Sequence, residues 1–178
     1  TPAPVHRWRE LPSATMRIAT WNVNSIRARA ERVVDWLERS DVDVLAMQET
    51  KCSDEQFPTM SFLAAGYDVA TVGVSQWNGV AIASRLPIDE PEIGFPDMPG
   101  FLKGHYGPGL PTEARAIGAT VEGVRLWSLY VPNGRSLDDP HYAYKLDWLA
   151  ALLANARSWL AEDPELPLAL MGDWNVAP

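Results

Sequence analysis

Short apolar strands alternating with amphipathic helices predict an α/β protein, with hairpins that shade it toward α+β. Three observations carry that expectation. Runs such as Asp43-Val-Leu-Ala-Met47 and 166–173 are short, continuously apolar and bounded by polar residues, as buried strands are. Segments 29–39 and 140–160 instead place apolar residues at helical spacing. Glu122-Gly123 separates two strand-like runs and reads as a hairpin turn. Hairpins mixed with helices exclude an all-parallel sheet.

Taken in order, Arg17-Ile-Ala-Thr-Trp21 forms a first strand ending at Asn22-Val-Asn24. Residues 29–39 follow as a helix with Val33, Val34 and Leu37 on one face. The second strand, Asp43–Met47, ends in Gln48-Glu49. Ser53-Asp54-Glu55 has the charge and capping type of a helix start. Pro58 opens a short helix to Ala65, closed by Gly66. Strands 67–72 and 80–84 flank a turn at Trp77-Asn78-Gly79. Residues 86–112, rich in proline and glycine, read as one long surface loop, a length usually tied to function or mobility. Strands 116–121 and 124–131 form the hairpin. The longest helix starts at Pro140, with Leu146, Leu149, Leu153 and Trp159 expected on its inner side. The last strand, 166–173, delivers Asp173 and then Asn175. If it stays extended, those two side chains point the same way, roughly 6–7 Å apart.

Composition bounds the rest. The 178 residues suffice for one sizeable core, expected over 16–178, with residues 1–15 as a flexible extension of three prolines and three charges. Net charge is −8, and it is uneven: residues 1–53 hold 8 Lys+Arg against 7 Asp+Glu, the remainder 7 against 16. Acidity alone argues against a nucleic-acid partner, because phosphate contacts need local positive charge. A few placed arginines and lysines overcome that, and metal-binding carboxylates themselves add negative charge. Eight tryptophans read first as core packing, with base or sugar stacking as the lesser use. One cysteine, Cys52, excludes an intrachain disulfide and a thiolate zinc cluster, and fits a reducing cytoplasm. No apolar stretch reaches membrane-spanning length, and no secretion signal opens the sequence.

The chemistry gathers at strand ends. Asn22, Glu49, Asp173 and Asn175 each close an apolar strand, and Tyr130 stands just before Pro132-Asn133-Gly134. Singly, each has a plain reading: a turn residue, a solvated charge, a core tyrosine. Together, if the strands are neighbours, they form a cluster of hard oxygen donors at one rim. Such a set suits Mg²⁺ or Mn²⁺ better than zinc, and with a tyrosine and arginines nearby points to phosphoester chemistry.

Five motifs in order carry a resemblance. They are Trp21-Asn-Val-Asn-Ser-Ile-Arg-Ala-Arg29, Gln48-Glu-Thr-Lys51, Tyr130-Val-Pro-Asn-Gly134, Tyr144-Lys-Leu-Asp-Trp148 and Gly172-Asp-Trp-Asn-Val-Ala-Pro178. The chain resembles the exonuclease III branch of the endonuclease/exonuclease/phosphatase superfamily over residues 16–178. The resemblance implies a four-layer α/β/β/α sandwich, incomplete at its C-terminal end. It implies Mg²⁺-dependent cleavage 5′ of abasic sites in duplex DNA and processing of 3′ ends, by a cytoplasmic enzyme monomeric when full length. By motif, Glu49 is the principal metal ligand, with Asn22 and Asn24 in its shell. Asp173 orients and deprotonates the attacking water, Asn175 helps hold it, and Tyr130 stabilises developing charge. Asn133, Arg115 and Lys145 contact DNA phosphates, while Arg27, Arg29 and Lys51 are positioning contacts.

The family pattern continues with a second Asp-x-Asn element and a terminal Ser-Asp-His, neither of which is present. His6, His105 and His141 match none of these motifs and read as surface histidines. The expectation is therefore a portion of a larger enzyme, with little nuclease activity by itself and an exposed apolar sheet face. Two other readings stay open: a superfamily branch acting on inositol phosphates or phospholipid headgroups, and a non-catalytic DNA-binding or interaction remnant.

Overall fold

The computed structural model describes residues 15–176. The expected extension at 1–15 therefore falls almost wholly outside the described residues, as does His6. Ten strands and three α-helices follow in chain order: β1 Ile18–Asn22, α1 Ala30–Ser40, β2 Val44–Gln48, α2 Thr59–Ala64, β3 Asp68–Val72, β4 Val80–Ser84, β5 Asp89–Ile93, β6 Gly100–Leu102, β7 His105–Gly107, β8 Ala116–Val121, β9 Val124–Tyr130, α3 Pro140–Glu162 and β10 Leu168–Asp173.

These strands build two mixed four-stranded sheets, ordered β1-β2-β4-β3 and β10-β9-β8-β5, with β6-β7 a separate ribbon. Each sheet contains one parallel pair, β1 with β2 and β9 with β10, and is otherwise antiparallel. The side-chain period of two divides each strand between two layers. On β2 and β4, Val44, Val80 and Ile82 face the second sheet and join Ile117, Ala119, Val121 and Leu126. The alternate residues Leu45, Met47, Ala81 and Ala83 pack against Val33 and Leu37 of α1 and Phe62 of α2. Trp127 and Leu129 of β9 turn outward to Tyr144, Trp148 and Leu152 of α3. The result is helices, sheet, sheet, helix: the four-layer arrangement expected. The two strands buried on both faces, β2 and β4, are the most continuously apolar, as double burial requires.

Two expectations need correction. Residues 86–112 are not one structureless loop. Asp89–Ile93 pairs with β8 as an edge strand, exposed at every residue, which is why its Asp-Glu-Pro-Glu-Ile sequence lacks an apolar signal. The inner face of α3 also differs. Tyr144, Trp148 and Leu152 are buried, whereas Leu146 and Leu153 are about half exposed at 49% and 50%. Residues spaced by four fit a helical stripe as well as the leucines do, and the larger aromatic rings win the interior because they remove more apolar area from water. Leu149 and Trp159 pack at the margin of that core, as expected.

A polar clamp closes the end of the first sheet remote from the polar strand ends. The Asp43 carboxylate accepts from the Arg17 backbone N–H at 2.6 Å and from Arg85 Nε at 2.8 Å, tying the starts of β1 and β2 to the end of β4. Burial pushes the Asp43 carboxyl up, but these hydrogen bonds and the Arg85 charge outweigh it and hold it below the usual carboxylate value. A carboxyl depressed in the folded state stabilises above its unfolded pKa, and that contribution fades as pH falls through the folded value. Asp43→Asn is expected to cost about 1–3 kcal/mol at neutral pH, the usual worth of hydrogen bonds to a charged group. Urea unfolding of both proteins between pH 2 and 7 checks this: the gap should hold above about pH 4 and narrow below it. A gap independent of pH would remove the charge from the explanation.

Candidate active site

Strand direction places the site. β1 and β2 run parallel, so Asn22 and Gln48 finish level, and β9 with β10 bring Tyr130 level with Asp173. Antiparallel β4 and β8 begin at that same rim. The pleat then decides what faces inward. Gln48 Nε2 donates to Ser128 Oγ at 3.0 Å, and Ser128 Oγ donates to the Met47 carbonyl at 2.9 Å, a buried polar bridge from sheet to sheet. Asn22, Tyr130 and Asp173 lie in the same inward phase, so they enter the seam between the sheets.

Asn22 joins both sheets. Its Nδ2 donates to Glu49 Oε1 at 2.8 Å and to Asp173 Oδ2 at 2.7 Å. Its Oδ1 accepts from the Asn24 backbone N–H at 3.0 Å. Lys51 Nζ stands 2.7 Å from Glu49 Oε2 and donates to Asn24 Oδ1 at 2.6 Å, and the Tyr130 hydroxyl lies beside Glu49. Burial pushes the Glu49 carboxyl up, but the Asn22 bond, Lys51 and the nearby Tyr130 hydroxyl prevail and hold it below its ordinary value. Tyr130 is pushed up to about 12 by burial and the neighbouring Glu49 charge. It is therefore a protonated donor at neutral pH.

The backbone here is bent into conformations that side-chain-bearing residues seldom adopt. Asn24, Ser25, Glu49, Lys51 and Asn175 all have positive φ. The strand β10 ends at Asp173, so the pleat does not extend to Asn175 as expected. Instead Asn175 folds back in the left-handed region (φ 49), its N–H donating to Asp173 Oδ1 at 2.9 Å. Asn175 Nδ2 donates to the Val131 carbonyl at 2.8 Å, and Asn133 Nδ2 approaches Asn175 Oδ1 at 3.4 Å.

Arg115 and Lys145 are both buried, and both already have partners. Arg115 Nε donates to Glu113 Oε2 at 2.6 Å, and its guanidinium lies 4.8 Å from the centre of the Tyr130 ring. Lys145 Nζ donates to the Asn175 carbonyl at 2.6 Å. Asn24, Arg27 and Asn133 are exposed at the rim. Arg29 reaches the Asn24 carbonyl, whereas Arg27, among the described residues, has no hydrogen bond into the cluster. His105 is exposed, but His141 is not the surface histidine expected: it is half-buried, with Nδ1 2.8 Å from Asp139.

Sequence reasoning passed over Glu113, which holds both Arg115 and, at 3.4 Å, the Tyr144 hydroxyl. The signal was its position two residues before Arg115. It also passed over the reason for Gly172. That residue has φ 147, and a Cβ there would stand 1.9 Å from the Leu129 carbonyl oxygen. Only glycine lets β10 lie against β9 at the residue before Asp173.

As a donor set, the Glu49 and Asp173 carboxylates suit a hard cation, while Asn22 turns its NH2 rather than its oxygen toward them. Among the described residues no group of three His, Cys, Asp or Glu is placed to hold a metal. Mg²⁺ fits such a sparse set, since it keeps several waters and takes further ligands from substrate phosphate.

The sequence matches the profile of the Endonuclease/Exonuclease/phosphatase family over residues 19–178, and the chain belongs to that family, on its exonuclease III and AP endonuclease branch. It is 31% identical over 175 residues to the DNA repair nuclease APEX1 of Danio rerio, covering 93% of this chain and 50% of that protein. It is 30% identical over 171 residues to an exodeoxyribonuclease of Bacillus subtilis, covering 91% and 59%. Among solved structures, the 3′ phosphatase NExo from Neisseria, bound to a product DNA hairpin, superposes with TM-score 0.81 at 35% identity. An AP endonuclease from Archaeoglobus fulgidus gives TM-score 0.77 at 36% identity; each alignment covers 92% of this chain and 59% of the other. The chain thus spans half to three-fifths of the length of these relatives.

Two outcomes follow for the site. Asn22→Ala removes one of the bonds that depress Glu49, so the Glu49 carboxyl should titrate at higher pH by ¹³C NMR; an unmoved titration would deny Asn22 that role. Gly172→Ala should cost at least about 2 kcal/mol in urea unfolding, the scale of a forced backbone conformation plus a steric shift; a neutral result would mean that β10 can shift freely.

Proposed function

We propose that this member of the endonuclease/exonuclease/phosphatase family supplies the metal- and phosphate-binding centre of a DNA-repair phosphodiesterase. The reaction is hydrolysis 5′ of abasic sites in duplex DNA, with processing of 3′ ends. The observation that carries the reading is the Asn22 carboxamide shared between Glu49 and Asp173 across the two sheets. A binding module has no need of two carboxylates held together in this way.

Glu49, with Asn22, Asp173 and Asn175 about it, would hold Mg²⁺ or Mn²⁺. That ion would neutralise charge on the phosphoryl oxygens when bound. Asp173, acceptor of bonds from Asn22 and the Asn175 N–H, is fixed in orientation and suited to take a proton from water. Tyr130, a neutral hydroxyl at pH 7, can donate to an oxygen on which charge develops. Asn133, Asn24 and Arg27 are exposed at the rim, where they would meet DNA phosphates. Arg115 and Lys145 would meet phosphate on release from Glu113 and Asn175, and until then they fix Tyr130 and the Asp173–Asn175 turn. Extruding a baseless sugar into such a seam breaks no base pair, which favours abasic DNA over intact duplex.

The test uses the complete gene product, with Mg²⁺ and with EDTA, on an abasic duplex, a recessed 3′ end and an inositol phosphate. Cleavage of the abasic duplex should require metal. Glu49→Gln and Asp173→Asn should each lower kcat by about 100- to 1,000-fold, the cost of removing one preorganised group. Turnover of the inositol phosphate without DNA cleavage would overturn the substrate assignment.

A further inference from the structure

The ribbon β6–β7 lies outside both sheets and has no part in the site as described, yet it grows from the same rim. β5 leaves its sheet at Ile93 and β8 enters at Ala116, paired with Leu129 one residue before Tyr130. Both ends of the segment between them therefore lie at that rim, and the ribbon itself packs against α3 on the outer side of the second sheet.

Its base is anchored. The Phe101 N–H donates to the Pro111 carbonyl at 3.1 Å, and a Cβ on Gly100 would stand 2.2 Å from the Leu110 carbonyl oxygen. The Phe101 ring centre is 4.1 Å from His141 and 5.1 Å from Tyr144 on α3. Tyr144 in turn reaches Glu113, the partner of Arg115.

The tip is open. Leu102, Lys103, Gly104 and His105 are exposed; Tyr106, paired with Phe101, is exposed along one edge while its ring centre lies 6.3 Å from that of Tyr144. Lys103 and Gly104 both have positive φ, 49 and 83, which is the two-residue turn that suits strand twist. Asparagine or glycine would take the Lys103 position with less strain, so the lysine is not there for the turn. From Met98 to Thr112 there is no Asp or Glu, in a chain with 23 of them. An acid-free tip that sets one lysine and an imidazole beside an exposed leucine and a tyrosine ring has the make-up of a nucleic-acid contact, unlike the acidic surface around it.

We propose that the β6–β7 ribbon is a second duplex-DNA contact, with Lys103 and His105 against backbone phosphates and Leu102 and Tyr106 against the sugar edge. It holds the flanking duplex in position relative to the reacting phosphate. The inference rests on the phosphodiesterase reading above, and its experiment separates the two. The complete gene product and its Lys103→Asn and Lys103→Asn/His105→Gln variants are titrated with abasic duplex in EDTA at several salt concentrations. Asparagine accepts the backbone of residue 103, so a thermal midpoint no lower than the parent's confirms that the ribbon stays folded.

Lys103→Asn should weaken binding about 3- to 10-fold at low salt and reduce the slope of log K against log salt by about 0.9, the value of one phosphate contact. kcat with Mg²⁺ should be unchanged. Shortening the duplex on one side of the abasic site should abolish the difference between variant and parent; shortening the other side should not. Unchanged affinity and slope in the double variant overturn the contact, as does a loss equal on every truncated duplex. If the parent binds duplex but cleaves nothing, the phosphodiesterase reading fails and the ribbon contact is judged on binding alone. A parent that does not bind duplex overturns both.

Discussion

One carboxamide sets the geometry of this rim. Glu49 belongs to the first sheet and Asp173 to the second, and two carboxylates brought together at a partly buried seam repel. Asn22 Nδ2 carries two N–H donors and gives one to each at 2.8 and 2.7 Å. An apolar residue would leave the charges opposed, and a shorter side chain would not span them. The contact also fixes how the sheets meet, because β1 and β10 are the edge strands on that side. Deeper in, Gln48 and Ser128 repeat the device between β2 and β9. Sheet-on-sheet packing by apolar side chains alone is non-directional. These polar bridges make it specific, and so align Tyr130 with Glu49.

The bends at the rim follow from the same requirement. Strands deliver side chains alternately to two layers, so a strand that simply continued would send every second polar group toward a helix. Positive φ at Glu49, Lys51 and Asn175 turns the chain out of its pleat just where polar groups must converge. Such residues cost of order 1–3 kcal/mol each and persist only where neighbours over-determine them. Here they do. The Thr50 and Lys51 N–H groups donate to Gly79 and Asn78, and the Asn175 turn is held by Asp173, Val131 and Lys145.

Much of this was legible in the sequence because each polar residue interrupted an apolar run. Asn22, Glu49 and Asp173 announced themselves by contrast with Ile-Ala-Thr, Val-Leu-Ala-Met and Leu-Ala-Leu-Met. Pairing across distance was not legible from the residues alone: nothing local says that β2 and β9 lie in different sheets, facing each other. The edge strand β5 was hidden because exposure on both faces removes the alternation that marks a strand. The face of α3 was misjudged because two stripes compete on that helix, and their choice depends on the shape of the sheet beneath. Glu113 was hard to single out because its role is to neutralise a partner, and an acidic residue two positions from an arginine is an ordinary surface pattern.

The acidity of the chain, which argued against a nucleic-acid partner, is resolved by where its cations sit. Arg115 is spent on Glu113 and on the face of Tyr130, Lys145 on a carbonyl, and Lys51 on Glu49. Of these, Lys51 neutralises a site carboxylate directly, while Arg115 and Lys145 add positive charge beside the seam. Arg85, by contrast, closes the clamp on Asp41 and Asp43 at the opposite end of the first sheet. A polyanion approaching the seam therefore meets a region whose internal charges are largely matched. Net charge sums over the whole surface, whereas contact within a Debye length of about 8–10 Å senses only the rim. At that range the balance that matters is set by a few paired side chains, and the excess carboxylates elsewhere on the chain are screened.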